Sequence, residues 1–460
     1  MRTRSDGGSR GGGGTGGAGR SLRTTVVGGG LAGCEAAWAL AERGVAVTLH
    51  EMRPGTRTEA HQTDYLAELV CSNSFKSVET ANAHGLLKAE MRRLGSLVLA
   101  VADSARVPGG AALAVDRTAF ARGMQDRVAT HPLITIVRSE VTELPEAGIV
   151  ATGPLTSDRL AQAIARRLGA ESLAFFDAIA PIVSDDSLDH GMLFRASRYG
   201  KGDGDDYLNA PLDEAQYDAF VAALVQADQY ESPHEFDRTP YFEGCLPVEE
   251  MARRGRDVLR FGPMKPVGLV DPRTGRAPFA VVQLRREDRA GQMWNLVGFQ
   301  TRLRTGEQRR VFPLIPGLAA AEFLRLGSIH RNSYVNAPAT LSQHLAVKDN
   351  PRLLFAGQIT GVEGYTESAA SGLLAGLNLA RLTAGEPPLV PPPTTMLGAL
   401  CRYLVTCDPA RFQPMNANFG LLEPLESAVR EKTRRRERLV ERALQDGDAF
   451  ASAIGALVTA

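Results

Sequence analysis

The alternation of apolar and polar positions becomes regular at Leu22. There LRTTVVGGGLAGCEAAWALAERGVAVTLHEM reads as strand, tight glycine turn, helix and strand. Thr25-Val26-Val27 is a short β-branched run of the kind that fills a parallel strand covered on both faces. The helix expected from Ala32 keeps small residues (Ala36, Ala37, Ala39) where it must approach a sheet. Val45–Leu49 supplies the next strand, and Glu51 closes it. Residues 148–153 read as a further strand ending in Ala-Thr-Gly, and 352–358 as another, followed by glycines and the small-residue helix SAASGLLAGLNLA. Between these units, roughly residues 181 to 335 lose the glycine-turn rhythm. YLNAPLDEAQYDAFVAALVQAD predicts a turn and then a helix, with Pro211 just ahead of the amphipathic pattern, while 280–284 and 293–298 read as strands. A Pro-rich stretch after Leu389 precedes a last helix over LESAVREKTRRRERLVERALQ.

This pattern predicts an α/β chain in which a Rossmann-type, glutathione-reductase-like FAD-binding domain is split by an α+β insertion domain. The expected segments are 21–180, 181–335 and 336–460, after a disordered Gly-rich tail at 1–20. The glycines carry the chemistry. Gly28, Gly30 and Gly33 form G-x-G-x-x-G, with Gly29, Leu31 and Ala32 completing the turn. The first glycine permits the turn, the second lets backbone approach a pyrophosphate, and the third allows close helix–strand packing. The free N–H groups of the helix N-terminus favour that pyrophosphate, and Glu51 stands where a ribose diol is held. The downstream cluster of Gly357, Gln358, Gly361, Gly364, Tyr365, Glu367 and Ser368 is a second strand–glycine–helix unit. Two such units favour FAD over a single NAD-binding domain, because the second helix N-terminus faces the flavin edge where reduction places negative charge.

Composition narrows the class further. The 460 residues include 52 basic and 52 acidic side chains, so net charge supplies no global pull toward nucleic acid. No apolar run reaches the roughly 20 residues that span a bilayer. The first residues have no hydrophobic signal core, and the five scattered cysteines show neither a disulfide framework nor zinc spacing. A reducing, cytoplasmic setting without membrane contact or metal is expected. In the last helix, Arg434, Arg435 and Arg436 mix with Glu431, Glu437 and Glu441, which reads as a solvated ion-pair face or as an RNA-facing ridge.

Seven strings carry a resemblance: GGGLAG, AELVCSNSFKS, YFEGCLPVEEMARRG, LRFGPMKPVGL, IHRNSYVNAP, GQITGVEGYTESAASG and RFQPMNANFGL. From about Leu22 onward the chain resembles the TrmFO family, folate- and FAD-dependent tRNA (uracil-5-)-methyltransferases related to the GidA flavoproteins. The resemblance implies that methylenetetrahydrofolate supplies one carbon, by way of reduced flavin, to C5 of uridine 54 in the tRNA T loop. NAD(P)H would regenerate the reduced flavin, and no obligate protein partner is implied. Uracil C5 becomes nucleophilic only when a group adds to C6, a task suited to a thiolate. The resemblance maps that nucleophile onto Cys245 and a second functional thiol, near the flavin and assisting proton removal from C5, onto Cys71. Read from their surroundings alone, both cysteines lie in Gly- or Pro-flanked polar loops, whereas Cys34 and Cys401 read as packing residues. Arg253, Arg254, Arg256, Lys265 and His330-Arg331-Asn332 are weaker candidates for phosphate, folate or flavin contact. Ribosomal RNA as acceptor, a wobble-uridine reaction of the GidA kind, a small-molecule flavin reductase and a non-catalytic flavin-loaded RNA binder remain alternatives.

Overall fold

The chain enters through β1 (Arg23–Val27), α1 (Leu31–Ala41) and β2 (Ala46–Glu51). This computed structural model describes residues 23–58, 60–169, 173–178, 180–230, 246–427 and 429–455; the tail 1–20 and Cys245 lie outside them. A small antiparallel sheet follows, made of β3 (Ser74–Ser77), β4 (Arg106–Val107) and β5 (Ala112–Val115). Between its strands run α2 (Ala83–Arg93) and α3 (Leu97–Ser104). Next come α4 (Arg117–Thr130), β6 (Ile134–Arg138), β7 (Gly148–Val150) and α5 (Asp158–Leu168). β8 (Leu173–Ala178) then crosses to a second sheet of β9 (Ile182–Ser184), β10 (Phe194–Arg195), β11 (Tyr207–Leu212), β12 (Ala280–Arg286), β13 (Met293–Leu296) and β14 (Phe323–Arg325). Its helices are α6 (Glu214–Gln226), α7 (Val248–Arg253), α8 (Val258–Phe261) and α9 (Thr305–Val311). The chain returns along β15 (Ile329–Tyr334), antiparallel to β8. It ends with α10 (Ala337–Thr340), β16 (Ala346–Val347), β17 (Asn350–Phe355), α11 (Tyr365–Thr383), α12 (Met396–Thr406) and α13 (Lys432–Ala453).

The first sheet has the order β16-β17-β7-β1-β2-β6, with β17, β7, β1, β2 and β6 all parallel. Val26, Val47, Leu49, Ile149, Val150 and Leu354 are fully buried, as strands covered on both faces require. α1 and α11 cross over this sheet at very short range. A Cβ at Gly372 would stand 2.2 Å from the Ala32 carbonyl oxygen, and one at Gly376 would stand 2.6 Å from that of Ala36. The small residues of both helices are therefore a packing requirement, and the crossing brings both N-termini to the C-terminal ends of β1 and β17.

The second sheet, β10-β11-β12-β13-β9-β14, has its own core, in which Phe220, Val282, Leu284, Trp294, Phe299 and Phe312 are fully buried. Residues 207–212, expected as a turn, form β11. Leu208, Ala210 and Leu212 alternate into the core, and β11 pairs with β12 along its length. Pro211 is tolerated because β10 covers β11 only at Leu208 and Asn209, leaving an edge beyond them. The last helix also differs from expectation. It starts at Lys432, where the Glu431 carboxylate accepts the N–H groups of Thr433 and Arg434, and it runs on to Ala453.

Gly372→Val is expected to destabilise the protein by about 3 kcal/mol, because neither backbone at the α1–α11 crossing can retreat. Urea unfolding against wild type measures it; an unchanged midpoint would refute the close-packing argument.

Candidate active site

A groove of about 960 Å³, counted to its open mouth, runs along the C-terminal ends of β1, β7 and β17. Gly28, Gly29, Gly30, Leu31 and Ala32 form one wall, Thr152 to Ser157 a second, and Gly357, Gln358, Tyr365 and Ser368 a third. Each glycine of the first turn meets a different demand. Gly28 has φ of 105°, and a Cβ there would fall 2.5 Å from the Ala151 carbonyl oxygen. At Gly33 a Cβ would lie 1.8 Å from the Gly28 oxygen, whereas at Gly30 it would meet nothing within 4 Å. Gly30 therefore presents bare backbone to the groove. No side chain caps α1, so its first N–H groups and its positive dipole end are left for an anion. This cradle fits the pyrophosphate of a dinucleotide.

Glu51 also lines the groove, but its carboxylate is already engaged. Oε2 accepts the N–H of Gly29 at 3.1 Å and Nη2 of Arg53 at 3.1 Å. Oε1 accepts the backbone N–H of Arg53 at 2.9 Å and its Nε at 2.8 Å. An ionised carboxylate offers about four acceptor directions, and the chain meets all of them. A ribose hydroxyl bound here shares or replaces one of these donors. Burial raises the Glu51 pKa, but hydrogen bonds and charge from Arg53 outweigh it and hold the group below its usual range. Arg53 is in turn bonded to Glu68 at 2.8 Å. No local spacing in the sequence marks Arg53 or Glu68 as members of this cluster.

Cys71 is half-buried and sits just behind this groove, which Val70 lines. Its loop is clamped from three sides. The Tyr365 hydroxyl oxygen accepts the N–H groups of Cys71 at 2.8 Å and Ser72 at 3.1 Å. Arg117 at the start of α4 donates to the carbonyls of Leu69 and Cys71 and to the buried carboxylate of Glu287. From β12, Arg285 donates to Asn73 Oδ1 at 2.9 Å and Ser72 Oγ at 3.0 Å. The Asn73 amide completes the clamp by donating to the carbonyls of Val115 and Arg286. Burial opposes the charge on Arg117, but Glu287 more than compensates and raises its pKa. Burial and the neighbouring Cys71 push the Tyr365 phenol upward, so it stays neutral. The motif SNS is thus a fastening whose partners lie more than 200 residues away in β12, a relation no local pattern announces.

Other candidates stand elsewhere. Glu367 is buried outside the groove lining, 3.1 Å from His84 Nδ1, and accepts the N–H of Ala417 at 2.9 Å. Burial raises its pKa, yet the His84 hydrogen bond, the Lys76 and His84 charges and the Ala417 N–H bring it down to about 2. Gly361 abuts the Phe412 ring and Gly364 abuts Glu367, so both serve the packing of this turn. Arg253 and Arg256 are held by Glu250 and by Glu214 and Asp218, whereas Lys265 is exposed. Residues 330–332 pair with β8, and only their backbone is described. Cys34 and Cys401 are buried, which raises both pKa values, that of Cys401 to about 12. Among the described residues no His, Cys, Asp and Glu group is arranged to hold a metal, and no helix is long and apolar enough to cross a membrane.

Residues 23–387 match the family described as glucose inhibited division protein A. Aquifex aeolicus GidA, in its form I crystal, superposes with a TM-score of 0.69 at 17% identity, covering 95% of this chain and 76% of that one. The family match over most of the chain places the protein in the GidA class. Two closer relatives carry the name methylenetetrahydrofolate–tRNA-(uracil-5-)-methyltransferase TrmFO. That of Geobacter sulfurreducens is 59% identical over 426 residues, spanning 92% of this chain and 98% of the relative. That of Desulforudis audaxviator is 57% identical over 423 residues, spanning 91% and 96%. Within its class, the chain belongs to the TrmFO family.

Arg117→Met is expected to cost about 3–5 kcal/mol, since it strands the Glu287 carboxylate in the interior. The double variant with Glu287→Gln should recover part of the loss in urea unfolding; a single variant as stable as wild type would refute the clamp. Glu367 gives a pH signature. Its folded pKa of about 2 lies below the unfolded ~4.3, so its contribution is complete above the unfolded value and disappears as pH falls through the folded one. The stability gap between wild type and Glu367→Gln should close between about pH 5 and about pH 2. A gap independent of pH would exclude an ionised Glu367.

Proposed function

We propose that this protein methylates C5 of a uridine in tRNA, taking its one-carbon unit from methylenetetrahydrofolate. The observation that carries the reading is 59% identity over nearly the whole length of a relative bearing that name. Its specific site is uridine 54 of the T loop, and the compartment is the cytoplasm. The groove would hold FAD, which when bound would supply redox and one-carbon carrier chemistry, with NAD(P)H as the reductant. Gly28 to Gly33 and the α1 N-terminus hold the pyrophosphate, Glu51 the ribose, and Gly357, Gln358 and Ser368 the opposite wall. Residues 21–180 and 336–460 make up the FAD-binding domain, and residues 181–335 form an insertion on the substrate side.

The chain's own groups divide the remaining work. Cys245 adds to uracil C6 and gives C5 the electron density to attack, then leaves when the C5 proton is removed. Cys71 assists that proton removal. Its clamp (Tyr365, Arg117 and Arg285) fixes the loop so that the thiol is aimed without rearrangement. Tyr365 touches both the groove and the Cys71 N–H, which ties the two halves of the site together. The T-loop uridine is stacked in folded tRNA, so it must rotate out of the loop at a cost of a few kcal/mol.

Labelled methylenetetrahydrofolate, FAD, NADPH and a tRNA transcript provide the test. Label should enter the wild-type transcript and not one carrying cytidine at position 54. Cys245→Ala should abolish transfer and Cys71→Ala reduce it by about 10²-fold or more. Label that enters the cytidine transcript equally would refute the assigned site. NADPH oxidation without label in any tRNA would refute methyl transfer to tRNA.

A further inference from the structure

The turn that follows α8 is unusual for a surface. Phe261 is 83% exposed at the end of that helix, and Tyr199 is 67% exposed. Tyr199 is held in the left-handed region, with φ of 57°. Its N–H donates to the Gly268 carbonyl at 3.0 Å, and a Cβ at Gly268 would lie 2.9 Å from its ring. Both aromatics thus flank one turn, residues 262–268, and a non-glycine side chain at 268 would displace the Tyr199 ring. Strain at Tyr199, in a side chain that gains no burial from it, marks a position maintained for something outside the chain.

The charges around the turn point to the kind of partner. Lys265 is exposed and makes no ion pair among the described residues. Arg198 donates to the Val267 carbonyl and to the Gln283 side chain, both neutral, so its charge is not cancelled. Four other arginines are cancelled: Arg253 by Glu250, Arg256 by Glu214 and Asp218, Arg260 by Asp257, and Arg273 by Asp271. Two cations without an acidic partner, Lys265 and Arg198, thus stand with the two exposed rings at this turn. Flat π-faces beside free cations on a rigid base are what single-stranded or looped RNA binds, through base stacking and phosphate contact.

The turn is also mechanically continuous with the Cys71 loop. The Val281 N–H of β12 donates to the carbonyl of buried Met264, which anchors the turn. Four residues farther along the same strand, Arg285 grips Ser72 and Asn73. The two anchor points on β12 are thus separated by about 13 Å of extended chain. We infer that Phe261 and Tyr199 are stacking platforms for nucleotides that flank the target uridine, with Lys265 and Arg198 meeting their phosphates. This rests on the RNA substrate proposed above, and it assigns the docking surface on the protein.

The test is equilibrium binding of an unmodified tRNA transcript to the FAD-loaded protein across a salt series. Phe261→Ala should weaken binding by about tenfold or more, and Phe261→Trp should restore it, because any aromatic face can stack. Tyr199→Ala should weaken binding in the same way. Lys265→Gln should lower the slope of log affinity against log salt by about one. The flavin absorbance spectrum of each variant reports folding. Wild-type affinity in Phe261→Ala and Tyr199→Ala overturns the inference, as does failure of the tryptophan to restore binding. Unchanged tRNA affinity in Phe261→Ala, with loss of a dimer in sedimentation, would reassign the patch to contact with a second copy. Transfer of label is scored separately. Protein whose binding depends on Phe261 but which methylates nothing refutes the proposed activity and keeps the surface; an active Phe261→Ala with full affinity refutes only the surface.

Discussion

The ion pair between Arg117, at the start of α4, and Glu287, just past β12, ties the Cys71 loop to the second sheet. Removing both charges from water is costly, and a well-packed apolar pair of the same size is often as stable. Direction is what apolar groups lack. The planar guanidinium of Arg117 holds the carbonyls on either side of Val70 while its carboxylate partner comes from the far end of β12. A single side chain thereby sets the height of the Cys71 loop relative to both the first sheet and the second. Arg285 and Asn73 repeat the connection in parallel, so the loop is fixed as part of an interface and not as a surface excursion.

The dinucleotide half of the molecule follows from a different constraint, backbone proximity. Two helices pass close enough for Cα to touch carbonyl oxygen, which requires glycine on one and alanine on the other. Their N-termini then open on the same groove from two sides. Helix dipole, unpaired N–H groups and glycine walls arrive together because one crossing geometry produces all three.

The glycine spacing, the β-branched strand and the acidic residue at the end of β2 are readable in the sequence because each answers a local requirement of a βαβ unit. Partners distant in sequence are not. Glu51 was legible as an acid at the ribose position, but its engagement by Gly29 and Arg53 depends on the chain turning back two residues later. Glu367 had the position of a groove residue and is instead an internal strut to Ala417, since the segment 412–419 folds over it. Pro211 does precede a helix, α6, but it sits near the end of strand β11 and not in a turn, which the shortness of β10 allows. The pattern of 280–284 is sufficient for the strand that becomes β12, whereas the value of the two arginines that extend it to 286 emerges only when the Asn73 loop is in place.

The cluster of Glu51, Arg53 and Glu68 has two carboxylates against one guanidinium, all on the groove wall and largely shielded from solvent. Arg53 has no unspent charge to offer, because both acids have claimed it. Among these three side chains negative charge exceeds positive, beside the place where a sugar would rest. A ribose with free hydroxyls can donate to such a wall, while a phosphorylated one would bring like charge into a poorly screened space. The same three side chains that stiffen the first glycine turn thus favour an unphosphorylated sugar in the groove, such as the ribose of the FAD proposed above.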